Sequence, residues 1–364
     1  METGENKLHP FGHGGDIQTA AAYAGVEAGD ILDFSANINP LGPPPGLFAH
    51  LTDSLPQIEA YPDPSCRRLS QAILRRYEPA GEVLAGNGAG ELIYLLMRAL
   101  PPGPVLLPVP TFTLYERAAQ AAGREVSCHF LQQEGRFRPE IAALCADIAR
   151  IKPAVTFLCN PNNPTGVFLS REDVLAVGRA CAKAGGYLVV DEAFLEFLPQ
   201  WQELTLLQSK QDNIIVLCSL TKMYAIPGLR LGFMAAQQSV VAAAQKLRDP
   251  WSVNHLAQEA GRYVLQDAGY VRHTAEEVGK LAGSLARRLQ KIPGLDVFLP
   301  SANYIFLGSK TVASPELQRR LLQHNILVRD CGNYQGLDQR YIRVAVRSAE
   351  ENESLLSALQ EVMP

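Results

Sequence analysis

Residues 155–190 read VTFLCNPNNPTGVFLSREDVLAVGRACAKAGGYLVV, and this stretch decides the fold class. The apolar runs at 155–158 and 187–190 are short, which predicts two buried strands. Between them, residues 171–183 carry apolar side chains at helical spacing. A strand, a helix and a second strand in this order are typical of a parallel crossover unit in an α/β protein.

The same alternation extends in both directions along the chain. Seven apolar runs are separated, for the most part, by helical stretches. This predicts a large domain with a mostly parallel, seven-stranded sheet flanked by helices. The runs lie at residues 83–85, 105–107, 126–130, 155–158, 187–190, 214–217 and 231–235.

After Pro250 the pattern changes to long helical stretches that alternate with short strands, which predicts a smaller α+β domain. The predicted helices lie at 254–267, 270–291, 315–324 and 349–362, and the strands near 295–299, 304–307 and 341–346. We therefore expect an N-terminal arm (1–45) that joins the small domain, a large domain (46–255) and a small C-terminal domain (256–364).

Composition excludes several classes of protein. The 364 residues are 47% hydrophobic and 19% charged, which is too apolar for a disordered chain. A net charge of −4 without a basic block argues against a nucleic-acid partner. The longest apolar stretches fall short of the roughly 18 residues of a membrane span, and the polar, acidic N-terminus is unlike a signal peptide. The seven cysteines contain no C-x-x-C pair, which predicts buried thiols in a reducing, cytoplasmic compartment and no metal site.

The strongest site motif follows the run at 214–217 and reads Ser219-Leu220-Thr221-Lys222, with Arg230 eight residues further on. A lysine at the end of a buried strand is costly as a plain charge, whereas an imine with an aldehyde carries less buried charge. The neighbouring hydroxyls and the planar donor fork of Arg230 suit a phosphate. The alternative is a lysine on a surface loop.

Asp191 follows the run at 187–190, at the edge where open α/β sheets bind their ligands. A buried carboxylate needs a partner, and a protonated pyridine nitrogen would be one. The alternative is a metal-binding pair with Glu192, although no histidine or cysteine lies close enough in sequence to support it.

Three further turns follow strands of the same predicted sheet. In residues 160–166, Asn-Pro and Thr-Gly predict a tight turn from which an asparagine amide can point into a site. Gly88 and Ala89 precede a helix, where small residues let backbone amides approach an anion. Phe112 can stack on a flat ring, and its alternative is an ordinary core residue.

Together, these motifs resemble the fold-type I enzymes that use pyridoxal 5'-phosphate (PLP), in the class I/II aminotransferase group. The resemblance rests on residues 162–166, 191–194 and 219–232 and covers nearly the whole chain. It implies two catalytic residues: Lys222, joined covalently to PLP, and Asp191, at the ring nitrogen. It implies further cofactor contacts from Phe112 on the ring, Asn163 at O3', and Gly88, Ala89, Ser219, Thr221 and Arg230 at the phosphate. Tyr61 resembles the tyrosine that reaches the phosphate from a neighbouring subunit, which implies a homodimer with shared active sites.

Within that group, residues 13–16 and 32–42 resemble the L-threonine-O-3-phosphate decarboxylases of cobalamin biosynthesis, as do 221–228, 250–254 and 341–348. The resemblance implies a carboxy-lyase that converts L-threonine O-3-phosphate to (R)-1-amino-2-propanol O-2-phosphate. The alternative is a histidinol-phosphate or related aminotransferase, and that family usually has tyrosine where this chain has Phe194. Losing the phenol removes a hydrogen bond to O3' worth about 1 kcal/mol, which favours the decarboxylase. A third hypothesis is a non-catalytic PLP-fold or dinucleotide-binding module.

The decarboxylase resemblance also implies substrate contacts, from His13, Gly14, Asn37, Asn163, Arg329 and Arg343. Because the substrate carries a carboxylate and a phosphate, we expect two or more cationic donors. The sequence leaves open which arginine binds which anion. Arg347 is a lesser candidate, on the same strand face as Arg343, and its alternative is a solvated surface position.

Overall fold

The protein is described by a computed structural model that covers residues 13–364. The helices in this part of the chain are α1 (Ile17–Ala24), α2 (Leu47–Ser54), α3 (Arg67–Tyr77), α4 (Gly88–Ala99), α5 (Leu114–Ala121), α6 (Ile141–Ile151), α7 (Arg171–Lys183), α8 (Trp201–Leu204), α9 (Leu220–Met223), α10 (Gln238–Gln245), α11 (His255–Val264), α12 (Ala268–Leu289), α13 (Ser314–Leu322) and α14 (Ala349–Val362). The strands are β1 (Leu32–Asp33), β2 (Glu82–Asn87), β3 (Val105–Val109), β4 (Val126–Phe130), β5 (Val155–Cys159), β6 (Tyr187–Asp191), β7 (Ile214–Ser219), β8 (Leu231–Ala236), β9 (Leu295–Val297), β10 (Tyr304–Ser309), β11 (Ile326–Leu327), β12 (Arg329–Asp330) and β13 (Tyr341–Ala345).

All seven predicted apolar runs form strands of one sheet, in the order β2-β8-β7-β6-β5-β3-β4. The predicted mostly parallel, seven-stranded sheet is therefore confirmed. The strand β8 is the exception, because it runs antiparallel to both β2 and β7. The connection from β7 to β8 contains only the four-residue helix α9 and a short 3₁₀ turn, so the chain reverses instead of crossing over.

The sheet is covered on both faces, and alternate residues of its strands enter two different cores. Along β6, Leu188 and Val190 pack in one core, whereas Val189 packs in the other with side chains of α4, α5 and α10. This two-sided burial explains why the strands are continuous apolar runs rather than alternating patterns.

The C-terminal part forms a second, four-stranded antiparallel sheet in the order β12-β13-β10-β9. Its three longer strands lie where the sequence predicts them, whereas the two-residue strand β12 has no periodic signal. Arg329 of β12 lies directly opposite Arg343 of β13. Side chains at directly opposed positions lie on the same face of a sheet, so these two arginines project together.

The described part of the arm (13–45) contacts the C-terminal region. Strand β1 pairs in parallel with β11, and the amide of Ala345 donates to the carbonyl of Phe34. The arm also contains α1, which begins after Asp16, whose side chain accepts from the amide of Thr19. Residues 1–12 of the predicted arm lie outside the described residues, and the domain boundaries at 45 and 255 stay a prediction.

The turns that carry the site motifs leave one edge of the large sheet. The strands β2, β3, β5, β6 and β7 all run in the same direction, so their carboxyl ends share that edge. Within residues 13–364, no helix combines the length and the apolarity needed to cross a membrane.

Candidate active site

A cavity of about 390 Å³ opens at this edge, between the large sheet and the strands β12 and β13. Thirteen of the fifteen residues predicted for the site line it: His13, Gly14, Asn37, Ala89, Phe112, Asn163, Asp191, Ser219, Thr221, Lys222, Arg230, Arg329 and Arg343. The other two, Gly88 and Tyr61, do not line it.

Lys222 lies in the short helix α9, directly after β7, and its side chain reaches the cavity. Burial and the nearby positive charges of Arg343 and Arg230 lower the pKa of Lys222 to about 8. An amine with this pKa is partly unprotonated near neutral pH, which is the nucleophilic form needed to bond with an aldehyde.

Asp191 ends β6 and is 4% exposed. One of its carboxylate oxygens accepts a hydrogen bond from the Tyr115 hydroxyl at 2.7 Å, and the other accepts from the amide of Ala193 at 3.0 Å. Burial raises the pKa of Asp191, while these two donors and the charge of Lys222 oppose the rise. A buried carboxylate that faces a cavity in this way fits a cationic ring nitrogen.

Glu192 does not join Asp191 in a metal pair. Its carboxylate turns away from the cavity and accepts from the Thr205 hydroxyl at 2.5 Å and from the amide of Leu206 at 2.7 Å. Within residues 13–364, no group of three or more His, Cys, Asp and Glu side chains has the arrangement of a metal site.

An anion pocket lies at one end of the cavity. The hydroxyls of Ser219 and Thr221 are 2.8 Å apart, beside the first turn of α4. Gly88, with φ of +74°, begins α4, and a Cβ there would lie 2.6 Å from a guanidinium nitrogen of Arg230. Although Gly88 does not line the cavity, its lack of a side chain lets Arg230 approach the helix N-terminus. This combination of amides, hydroxyls and a guanidinium fits a phosphate.

Aromatic rings form the wall of the cavity beside Asp191. Phe112 lies 5.5 Å from Tyr115 and 5.6 Å from His13, measured between ring centroids. Because Phe112 lines the cavity next to Asp191, its ring is available to cover a flat cofactor.

The other end of the cavity is built around Arg343, which is 5% exposed. Its guanidinium donates to the side-chain oxygen of Asn163 and, at 2.6 Å, to the carbonyl of Ser35. Arg329 is also buried and donates to the side-chain oxygen of Asn333 at 2.7 Å. Asn37 is 3% exposed, and neither polar atom of its amide finds a partner among residues 13–364. An unsatisfied buried amide that lines a cavity indicates a polar ligand there.

The residues His13 and Gly14 close this end of the cavity. A Cβ on Gly14 would lie 2.2 Å from the carbonyl oxygen of Ser35, so only glycine fits. The next amide, that of Gly15, donates to the Ser35 hydroxyl at 2.8 Å. Burial and the charges of Arg117, Arg329, Arg343 and Lys222 lower the pKa of His13 to about 4, so the ring is neutral near pH 7. A neutral imidazole can still donate one hydrogen bond to an anion.

Two other candidates lie outside the cavity. Arg347 donates to the carbonyl of Asp33 at 3.2 Å and to Glu351 at 2.6 Å, so it ties the arm to α14. Tyr61 is 81% exposed, and its ring lies 4.7 Å from that of Trp251.

Sequence reasoning missed three residues that shape the site: Ser35, Tyr115 and Tyr334. Tyr334 lines the cavity, and the Cζ atom of Arg329 lies 5.2 Å from the centroid of the Tyr334 ring. Tyr115 follows Phe112 by three residues, one helical turn, which is the only sequence signal that could have linked it to the site.

The fold is that of the fold-type I PLP enzymes, and Lys222 and Asp191 both line the cavity at the edge of its sheet. The family model for aminotransferase class I and II matches residues 29–359, and the chain belongs to that family. Threonine-phosphate decarboxylase from Salmonella typhimurium is 40% identical over 358 residues, which cover 96% of each chain.

Two other comparisons cover nearly all of this chain. An adenosylcobalamin biosynthesis bifunctional protein from Leptospira interrogans is 32% identical over 96% of this chain and 41% of its own length. The crystal structure of histidinol-phosphate aminotransferase from Clostridium acetobutylicum matches with a TM-score of 0.84 at 26% identity, over 91% of this chain and 99% of that one.

The hydrogen bond from Tyr115 to Asp191 leads to a prediction about the pH dependence of kcat/KM. A hydrogen bond to a charged group contributes roughly 1.5–3 kcal/mol, which corresponds to about one pKa unit or more. Tyr115→Phe removes a donor that favours the ionised carboxylate, so the pKa of Asp191 rises further. We expect the acidic limb of the kcat/KM profile to move up by about one pH unit.

Tyr77→Phe is the matched control, because the Tyr77 hydroxyl donates to the buried Glu196 carboxylate at 3.1 Å, away from the cavity. Both variants lose a buried phenol–carboxylate bond, but only Tyr115→Phe should move the acidic limb. An unchanged limb in Tyr115→Phe would contradict the role given to Tyr115.

Proposed function

We propose that the protein decarboxylates L-threonine O-3-phosphate, releasing carbon dioxide and (R)-1-amino-2-propanol O-2-phosphate, the aminopropanol linker of adenosylcobalamin. The observation that carries this proposal is the charge of the cavity. Four cationic side chains line it, those of Lys222, Arg230, Arg329 and Arg343, against the single carboxylate of Asp191. This excess suits a cofactor phosphate together with a substrate that carries two anionic groups.

PLP supplies an electron sink that accepts the electron pair left on Cα when carbon dioxide departs. The residues of the chain hold the groups in place for that departure. With PLP bound, Asp191 would keep a proton on the ring nitrogen and Phe112 would cover the ring. The anchors at the far end of the cavity would hold the substrate so that its Cα–carboxylate bond is the one that breaks, whereas an aminotransferase would break Cα–H. Lys222, with its pKa of about 8, can return a proton to Cα.

The two arginines receive different anions in this proposal. Arg343 donates to Asn163, whose amide the family resemblance places at the PLP ring, so we take Arg343 as the anchor nearer to the reacting centre. The carboxylate is attached to Cα, so we assign it to Arg343 and Asn163. The phosphate lies one carbon further away, and we assign it to Arg329, His13, Asn37 and the backbone at Gly14.

The activity is tested directly with purified enzyme, PLP and L-threonine O-3-phosphate. We expect carbon dioxide and aminopropanol phosphate in equal amounts. Histidinol phosphate with 2-oxoglutarate is the comparison reaction, because of the family resemblance to that aminotransferase. Glutamate formation in the comparison reaction, with no carbon dioxide from the phosphorylated threonine, would overturn the proposal.

The assignment of the arginines predicts two distinct defects. Losing a charge-assisted anion contact costs roughly 1.5–3 kcal/mol, or about a ten- to hundred-fold rise in KM. We expect Arg329→Ala to raise KM for L-threonine O-3-phosphate but to leave turnover of unphosphorylated L-threonine nearly unchanged. Arg343→Ala should impair both substrates.

Arg340→Ala is the control, because Arg340 is exposed, pairs with Asp338 and does not line the cavity. Kinetic constants for the two substrates with each variant provide the measurement. If Arg343→Ala instead impairs turnover of only the phosphorylated substrate, the assignment is wrong: Arg343 then binds the phosphate and Arg329 the carboxylate.

We also propose a cytoplasmic homodimer in which Tyr61 completes the phosphate pocket of the other subunit. Tyr61 is exposed and does not line the cavity of its own chain, and Phe48 and Ile58, in the segment that precedes it, are 71% and 57% exposed. Such a cluster of exposed apolar side chains is typical of an interaction surface. All seven cysteines are free, as expected for a reducing compartment.

Tyr61→Phe tests the shared site. The variant loses a hydrogen bond to a charged phosphate, so we expect the Kd of PLP to rise by about ten-fold, measured by fluorescence titration of the apoenzyme. Tyr23→Phe, at another exposed tyrosine in α1, should leave the Kd unchanged. Equal affinity in Tyr61→Phe and wild type, or a monomer by analytical ultracentrifugation, would contradict the proposal.

A further inference from the structure

We infer that Asn39, in the arm motif at residues 35–42, is a positioning residue that holds the Lys222 turn in place. Asn39 does not line the cavity, so it would act through Lys222 and not on the substrate. The inference rests on Lys222 as the PLP-binding lysine and is independent of which amino acid the enzyme uses.

The turn that carries Lys222 is weakly held by its own backbone. The helix α9 has four residues, and short helices depend on tertiary contacts for their stability. Its closing hydrogen bonds are long. The amides of Tyr224 and Ala225 lie 3.4 Å from the carbonyls of Leu220 and Lys222, and the amide of Ile226 lies 3.2 Å from the carbonyl of Thr221. Something outside the turn must therefore fix the direction in which the Lys222 side chain leaves the backbone.

Asn39 supplies two such contacts, one from its backbone and one from its side chain. The amide nitrogen of Asn39 donates to the carbonyl of Lys222 at 3.2 Å. The side-chain nitrogen donates to the carbonyl of Met223 at 2.8 Å. These carbonyls are adjacent at the C-terminal end of α9, where helical carbonyls lack partners within the helix.

Asn39 is itself rigidly held, as a positioning residue must be. It is 3% exposed, and its side-chain oxygen accepts from the amide of Leu41 at 3.0 Å. Its side-chain nitrogen also lies 2.6 Å from the Tyr270 hydroxyl, which donates to the carbonyl of Gly42. Tyr270 belongs to α12, so the arm, α12 and the lysine turn meet at one buried amide.

The position of Lys222 matters because its surroundings set its pKa. Burial and the charges of Arg343 and Arg230 lower the pKa of the free amine. The same positive charges would disfavour a proton on this nitrogen when it is bonded to PLP, so a turn that drifts away from them should raise the titration midpoint. Asn39 does not line the cavity that holds the anion anchors Arg329 and Arg343, so substrate affinity should change little.

The test compares Asn39→Ala with Asn213→Ala in PLP-loaded enzyme without substrate. The amide of Asn213 also donates to backbone carbonyls, those of Gly178 and Gly186, but next to the opposite end of β7 from Lys222. We expect both variants to lower the Tm. Only Asn39→Ala should shift the midpoint of the pH titration of bound-cofactor absorbance, upward by about half a unit or more.

A kinetic comparison provides the second readout. We expect kcat to fall about ten-fold in Asn39→Ala with KM nearly unchanged, because a misplaced reacting group slows the chemical step. If Asn39→Ala does not fold, Tyr270→Phe and Asn39→Ser carry the same comparison, since each weakens the hold on the turn. A wild-type titration midpoint in the folded variants would overturn the inference. An enzyme that proves to use another substrate would overturn the proposed function but leave the absorbance titration valid.

Discussion

The site depends on the Asp191 carboxylate and the Lys222 amine facing one buried cavity. Burial disfavours the charged form of both groups, because it raises the pKa of the acid and lowers the pKa of the amine. The parallel strands β6 and β7 deliver both groups to the same edge of the sheet. A ring that carries a cationic nitrogen on one side and an aldehyde on the other would satisfy the two groups at once.

The remaining charges of the cavity determine which molecules it can hold. The two ends differ in construction. The proposed phosphate pocket has a helix N-terminus, two hydroxyls and Arg230, whereas the far end has Arg329 and Arg343 on neighbouring strands. In the proposed function, the chemistry that the cofactor makes possible is directed by these two arginines, which belong to a different sheet. The same fold can serve decarboxylation or transamination, because the outcome depends on how these anchors orient the substrate.

The N-terminal arm connects the two ends of the site. Ser35 accepts from Arg343 through its carbonyl and from Gly15 through its hydroxyl. Four residues later, Asn39 contacts the backbone of the lysine turn. One short, irregular segment therefore touches both Arg343 and the turn that carries Lys222. Such a segment has no periodic pattern, so its importance is visible only through its contacts.

The class of fold was predictable from the sequence. Strands that are buried on both faces are continuous apolar runs, and each predicted run forms a strand of the sheet. The sequence also determined the residues at the strand ends, such as Asp191 and Lys222, because a parallel sheet brings its carboxyl ends to one edge. The contacts between segments that are far apart in the chain became visible only in the tertiary structure. It reversed β8, paired Arg329 with Arg343, turned Glu192 away from the cavity and set Tyr115 against Asp191. The physical reason is that side-chain direction and hydrogen-bond partners depend on packing between elements, which local spacing does not encode.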